Sequence, residues 1–76
     1  MMEEKILDIL EEICEDDVVR EDRDLDLFEE GLLDSLGVAE LLVAIEDRLG
    51  KVIAITEIEK EDVDTVNKII ALVEAR

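Results

Sequence analysis

Apolar residues recur with the period of an α-helix in three segments of this 76-residue chain, and this pattern limits its fold more than any other feature. At about 100° per residue, residues 2–15 have one apolar and one acidic side. The same spacing predicts helices over 35–49 and 65–75. Either Asp34 or Ser35 can cap the middle helix.

The remaining segments predict a short helix and a long loop. The stretch Thr56-Glu57-Ile58-Glu59 fits a capping box and predicts a short helix over 56–61. Residues 16–34 show no sustained period, which predicts a structured loop whose apolar side chains dock on the core. Residues 51–55 form the only β-branched run, and a lone strand has no partner, so we interpret them as an extended connection.

These patterns predict an all-α fold in a single domain over residues 1–76. It is a small bundle of three main helices plus one short helix, with a long first loop. A chain of this length has little room for a deep catalytic pocket as well as a core. We therefore expect a protein that is not an enzyme.

Charge and composition exclude several function classes. There are 24 acidic and 8 basic residues, a net charge of −16, and a single aromatic residue, which argue against nucleic-acid binding and favour a monomer with positively charged partners. The absence of histidine removes the usual metal ligand and the base that would activate Ser35 in a hydrolase. One cysteine and no apolar run of about 20 residues lead us to expect a cytoplasmic protein.

Ser35 is the candidate functional residue. It places a hydroxyl at a helix N-terminus after a long loop, where free backbone N–H groups and the helix dipole favour a phosphate. The alternative is that Asp34 and Ser35 only cap the helix. Gly37 lies in the first turn, where it costs about 1 kcal/mol relative to alanine. Close approach of another group to the backbone is one reason for a glycine there.

The predicted helix over 35–49 also has two apolar residues on its outward side. Leu36, Glu40, Val43 and Asp47, called the outer stripe below, lie nearly opposite the core residues Val38, Leu41, Leu42, Ile45 and Leu49. One interpretation is that the loop or the short helix covers Leu36 and Val43. The other is a docking surface, apolar in the middle and acidic at its edges, for a partner with a basic rim.

Two other features have structural explanations. Cys14 falls on the apolar side of the first helix, where a free cysteine behaves as a small hydrophobic residue. The acids of the long loop do not match the spacing of an EF-hand, so we expect no dedicated calcium site.

The stretch Gly31-x-x-Asp34-Ser35-Leu36, followed by an acidic helix, resembles the attachment motif of acyl carrier proteins. The length, charge and helix order of the whole chain resemble the same superfamily. Within that superfamily, Gly37 directly after Asp-Ser-Leu resembles the D-alanyl carrier proteins. Further stretches resemble the same family: 27–35, Glu40-Leu41-Leu42, Ile55-Thr56-Glu57 and Asp64-Thr65-x-Asn67-Lys68-Ile69.

The resemblance implies a mechanism that relies on other proteins. A phosphopantetheinyl transferase would attach 4′-phosphopantetheine to Ser35, with Asp34 helping to hold a transient Mg²⁺ and Gly37 part of the cofactor site. A D-alanine–AMP ligase would load D-alanine as a thioester. A membrane acyltransferase system would then pass it towards teichoic acids of the cell wall.

The chain departs from the family pattern at three positions. Ala54 and Val66 replace prolines, and Val63 replaces an aromatic residue. Two alternatives remain at this point: a carrier of another acyl or aminoacyl group, and an engineered scaffold that keeps the attachment motif without its function.

Overall fold

The computed structural model describes residues 2–76, and the described part is helical, without strands. Four helices follow one another: α1 (Met2–Cys14), α2 (Val18–Glu21), α3 (Ser35–Leu49) and α4 (Val66–Glu74). Two 3₁₀ turns, Ile55–Glu57 and Lys60–Asp62, lie between α3 and α4. The predicted all-α class is confirmed, and no described helix is long and apolar enough to cross a membrane.

The core lies where α1 packs against α3 and α4. Its fully buried residues include Ile6 and Leu10 of α1, Leu41 and Ile45 of α3, and Ile69 of α4. Burying an aliphatic side chain of this size contributes about 1.5–3 kcal/mol, so the apolar sides of the three long helices stabilise the bundle. Cys14 is buried at the end of α1, as its place in the pattern predicts.

The structure corrects the prediction that residues 16–34 form a loop throughout. The single-turn helix α2 lies within it, and Val19 is fully buried. Four residues are too few to show a helical period, which explains why the sequence pattern missed it. Glu15, in the left-handed conformation at φ 54°, ends α1 one residue earlier than the pattern predicts.

The rest of the loop is ordered by docking on the core and on α4. Leu27 and Leu33 are buried, as expected for a structured loop. The backbone N–H of Leu27 donates to the carbonyl of Asp64 at 2.8 Å, and that of Asn67 donates to the carbonyl of Arg23 at 3.1 Å. These bonds hold the chain that leads into Ser35.

The predicted short helix over 56–61 is wrong in its detail. Two 3₁₀ turns replace it, and the capping box is formed by Glu59 and Asp62 instead of starting at Thr56. The sequence offers overlapping cap residues, and only packing decides between them. Thr65 caps α4, its hydroxyl accepting from the Lys68 N–H at 3.2 Å.

Candidate functional site

Asp34 and Ser35 have different local roles at the start of α3. Asp34 is the N-cap: its Oδ1 accepts a hydrogen bond from the Gly37 N–H at 2.8 Å. Ser35 is the first residue of the helix, and its side chain is exposed. Because a carboxylate already caps the helix, the Ser35 hydroxyl is not needed for that purpose. Capping therefore explains the aspartate at position 34, but helix stability does not explain the serine at position 35.

Gly37 is buried in the first turn of α3 against the loop that precedes it. A Cβ at this position would lie 2.9 Å from Cδ1 of Leu33 and 3.4 Å from Oδ1 of Asp34. The group that approaches this backbone is thus a side chain of the same protein. Gly37 lets Leu33 pack closely under the helix while Asp34 reaches the Gly37 N–H.

A groove opens beside Ser35, between the start of α3 and the segment that carries the two 3₁₀ turns. It has a volume of about 450 Å³, within the usual range of small-molecule sites. Its apolar walls are formed by Phe28, Leu33, Val38, Ile55, Ile58 and Val63. Asp34, Ser35, Glu59 and Lys60 are its polar residues. We call it the Ser35 groove.

The sequence pattern did not single out the residues that complete this groove. Phe28 comes from the turn before Ser35, and Lys60 lies on the second 3₁₀ turn with its Nζ 5.0 Å from the centroid of the Phe28 ring. One signal was present in the sequence, because Lys60 is the only basic residue between Lys51 and Lys68. Its proximity to Ser35 depends on how the segment folds back over α3.

The outer stripe is open along its whole length. Leu36 is 70% exposed and Val43 is 60% exposed, and Glu40 and Asp47 are exposed as well. The interpretation in which the loop or short helix covers Leu36 and Val43 is therefore wrong. A shallow depression of about 350 Å³, lined in part by Glu40, Val43 and Asp47, adjoins the stripe. The four residues occupy one face of α3, and the helix begins at Ser35.

The residues around Ser35 fit a phosphate-linked prosthetic arm. The serine oxygen is accessible, the N-terminus of a 15-residue helix favours a phosphate, and an apolar groove adjoins it. Among residues 2–76 there is no cluster of side chains suited to a resident metal ion. The arrangement can accept such an arm at the exposed serine oxygen.

Cys14 provides a contrast with an accessible functional group. It is 9% exposed, and burial, followed by the nearby charge of Asp16, raises the pKa of its thiol. A raised pKa lowers the thiolate fraction at neutral pH, and the thiolate is the reactive form. Cys14 is thus a core residue.

Comparison with known proteins identifies the family. The phosphopantetheine attachment site family matches residues 4–73. A D-alanyl carrier protein of Abiotrophia defectiva is 52% identical over 75 residues, covering 99% of this chain and 95% of the relative. The D-alanyl carrier proteins of Bacillus velezensis and Bacillus subtilis are 49% and 48% identical over 67 residues, covering 88% of this chain and 86% of each relative.

The match to an attachment-site family means that the cofactor is covalently bound 4′-phosphopantetheine. Such a domain holds a group while other proteins make and break its bonds, so this protein is a carrier and not an enzyme. Since the family match spans nearly all of the chain and the identity to curated relatives is about one half, the chain belongs to the D-alanyl carrier proteins of the phosphopantetheine attachment site family.

Proposed function

We propose that Ser35 is the attachment point of 4′-phosphopantetheine and that the arm carries D-alanine as a thioester. The observation that carries the proposal is the exposed Ser35 side chain, which has no capping role, at the N-terminus of α3 beside an apolar groove. The names of the relatives support D-alanine as the cargo. The loaded group would pass from a D-alanine–AMP ligase, through a membrane acyltransferase system, towards teichoic acids.

Attachment requires little of this chain beyond a well-placed oxygen. In a phosphopantetheinyl transferase, Ser35 Oγ forms a bond to the β-phosphorus of coenzyme A, adenosine 3′,5′-bisphosphate leaves, and the serine proton goes to a base of the transferase. Asp34 fixes the first turn through the Gly37 N–H, which holds Ser35 outward on a rigid element. Once bound, the arm supplies a terminal thiol for the acyl group.

Asp34 is also our proposed ligand for the transient Mg²⁺ of the attachment step. Its Oδ1 accepts from the Gly37 N–H, which fixes the carboxylate beside Ser35, where it would hold the ion. Carboxylate oxygens are the protein ligands that Mg²⁺ prefers, and the ion would offset the charge of the phosphates. Gly37 belongs to the site through this bond and through the space that it leaves for Leu33.

The outer stripe is the proposed docking surface for the transferase, the ligase and the acyltransferase. Exposed Leu36 and Val43 offer apolar contacts, and Glu40 and Asp47 offer charge to a basic rim. Because the stripe begins one residue after Ser35, a protein that docks on it would reach the attachment point. We propose that the protein works in the cytoplasm as a monomer, with residues 1–76 forming a single carrier domain.

Intact mass spectrometry tests the attachment point. The protein is incubated with coenzyme A, Mg²⁺ and a broad-specificity phosphopantetheinyl transferase, beside Ser35→Ala and Thr56→Ala. The chain has only three hydroxyl side chains, Ser35, Thr56 and Thr65, so these two variants localise an adduct well. We expect one phosphopantetheine adduct on the parent and on Thr56→Ala, and none on Ser35→Ala.

The cargo is tested on the modified protein with a panel of ligases. We expect a D-alanine–AMP ligase to load D-alanine onto the modified protein. Faster loading by a ligase for a fatty acid or another amino acid would contradict D-alanine and assign that group as the cargo. No adduct on a folded parent would instead support a scaffold that keeps the motif without its function.

A further inference from the structure

Lys60 is one of two cations of this acidic protein that lack a carboxylate or carbonyl partner among the described residues. Arg20, Arg23, Arg48, Lys68 and Arg76 each pair with a carboxylate. Lys51 instead donates to the backbone carbonyls of Val73 and Arg76. Among residues 2–76, only Lys5 and Lys60 have neither kind of partner, although acidic residues outnumber basic ones three to one. A cation without a carboxylate partner in such a chain calls for an explanation.

The position of Lys60 in the Ser35 groove explains why it has no carboxylate partner. Among the described residues, it is the only basic one that lines the Ser35 groove, and its Nζ lies over the face of Phe28. Of the two acids of the groove, Asp34 accepts from the Gly37 N–H at 2.8 Å, and neither Asp34 nor Glu59 is within ion-pair distance of Lys60 among the described residues. Lys60 is therefore held at the groove by an aromatic ring, an interaction that is weak at exposed sites.

A phosphodiester on Ser35 creates the complementary charge. It would lie beside the carboxylate of Asp34 in a protein of net charge −16, and both repel an added negative charge. The α3 N-terminus offsets part of this repulsion. A lysine carries a compact charge on a flexible stem, and Lys60 and Ser35 line the same groove, so the ammonium group can turn from the ring towards a phosphate there.

We propose that Lys60 is a positioning residue that pairs with the phosphate of the Ser35-linked arm and directs the arm along the Ser35 groove. The inference rests on the proposed attachment at Ser35 and adds how the protein holds the arm after attachment. Phe28 keeps the ammonium group at the groove before the phosphate arrives.

The test compares the ³¹P NMR resonance of the modified parent with those of Lys60→Gln, Lys60→Arg and Lys5→Gln. Lys5 is an exposed lysine of α1 outside the groove, so its variant makes the same change in net charge. The urea-unfolded modified protein gives the reference resonance of an unrestrained phosphodiester. We expect Lys60→Gln to move the folded resonance towards this reference and to weaken its dependence on NaCl. Lys60→Arg and Lys5→Gln should resemble the parent.

Thermal unfolding of modified and unmodified forms gives an independent readout. Lys60→Gln should lower Tm more in the modified form than in the unmodified form, and Lys5→Gln should lower both equally. Equal ³¹P resonances and equal Tm losses for the two glutamine variants would overturn the pairing while leaving attachment intact. A parent that takes up no adduct by mass would overturn the attachment proposal and this inference together.

Discussion

The α1–α2 side of the protein and the Ser35 side use charge in opposite ways. On the α1–α2 side, Arg20 forms ion pairs with Glu4, Asp8 and Glu11, and it joins the single-turn helix to α1. These carboxylates, the Glu11 hydrogen bond above all, raise the pKa of Arg20 above its ordinary value. On the Ser35 side, the Lys60 Nζ lies over the ring of Phe28 and pairs with no carboxylate among residues 2–76, and apolar Leu36 and Ile55 are left exposed. On the first side charged groups pair with one another, whereas on the second side apolar side chains stay exposed to solvent.

The largest expected effect is on the free energy of unfolding, and it distinguishes the buried face of α3 from its exposed face. Leu41→Ala removes a fully buried side chain of α3 and should lower the free energy of unfolding by about 2–5 kcal/mol. Leu36→Ala, on the exposed face of the same helix, should change it by less than about 0.5 kcal/mol and reduce kcat/KM of the ligase for the modified carrier. Urea unfolding and ligase kinetics measure the two effects. A large stability loss in Leu36→Ala with unchanged ligase kinetics would contradict the docking surface.

The next largest effect distinguishes Asp34, the cap of α3, from Ser35, the proposed attachment point. Asp34→Ala should lower the free energy of unfolding by about 1 kcal/mol, because it removes the acceptor of the Gly37 N–H. Ser35→Ala should leave stability close to that of the parent, since Ser35 does not cap α3. Urea unfolding of the unmodified proteins checks both. Equal losses for the two variants would show that the serine shares the capping role.

Salt should have a moderate effect on the whole molecule. Added NaCl or Mg²⁺ screens repulsion among 24 acidic residues, so Tm should rise despite weaker ion pairs at Arg20. Differential scanning calorimetry from low to high ionic strength measures this change. A flat Tm would contradict self-repulsion as a limit on stability.

The smallest effect concerns pH and the pair between α1 and α3. Arg48 donates to both carboxylate oxygens of Glu12, at 2.6 and 3.0 Å, and this hydrogen bonding lowers the pKa of Glu12 below its ordinary value of 4.5. A lowered folded pKa means that the pair stabilises the fold above pH 4.5 and that this contribution is lost as pH falls through the folded value. Arg48→Gln should therefore reduce Tm slightly at pH 7 and have less effect at a pH below the folded pKa of Glu12, where Glu12 is protonated in both proteins. A loss in Tm that is the same at both pH values would assign the effect to packing.

The sequence predicts the parts of the fold that depend on period and on caps. The spacing of three to four residues between apolar side chains predicts that Leu41 and Ile45 face the core, and both are buried. Helix α3 spans the predicted range between Asp34 and Gly50. The short-range pattern fails where packing decides, as at α2 and at the capping box of Glu59 and Asp62. The site divides in the same way. The helical pattern of α3 alone predicts the positions of Ser35 and the outer stripe. The contact between Phe28 and Lys60 depends on tertiary structure, because the two residues come from separate segments.

The burial of Cys14 has a consequence for the integrity of the cargo. A thioester is lost when a second thiolate of the same molecule attacks it and takes the acyl group. The only cysteine of this chain is buried, and its raised pKa keeps it protonated at neutral pH. The arm is then the sole reactive thiol, so a thiol-directed label would mark the arm alone, and a loaded group has no internal thiol to which it can transfer.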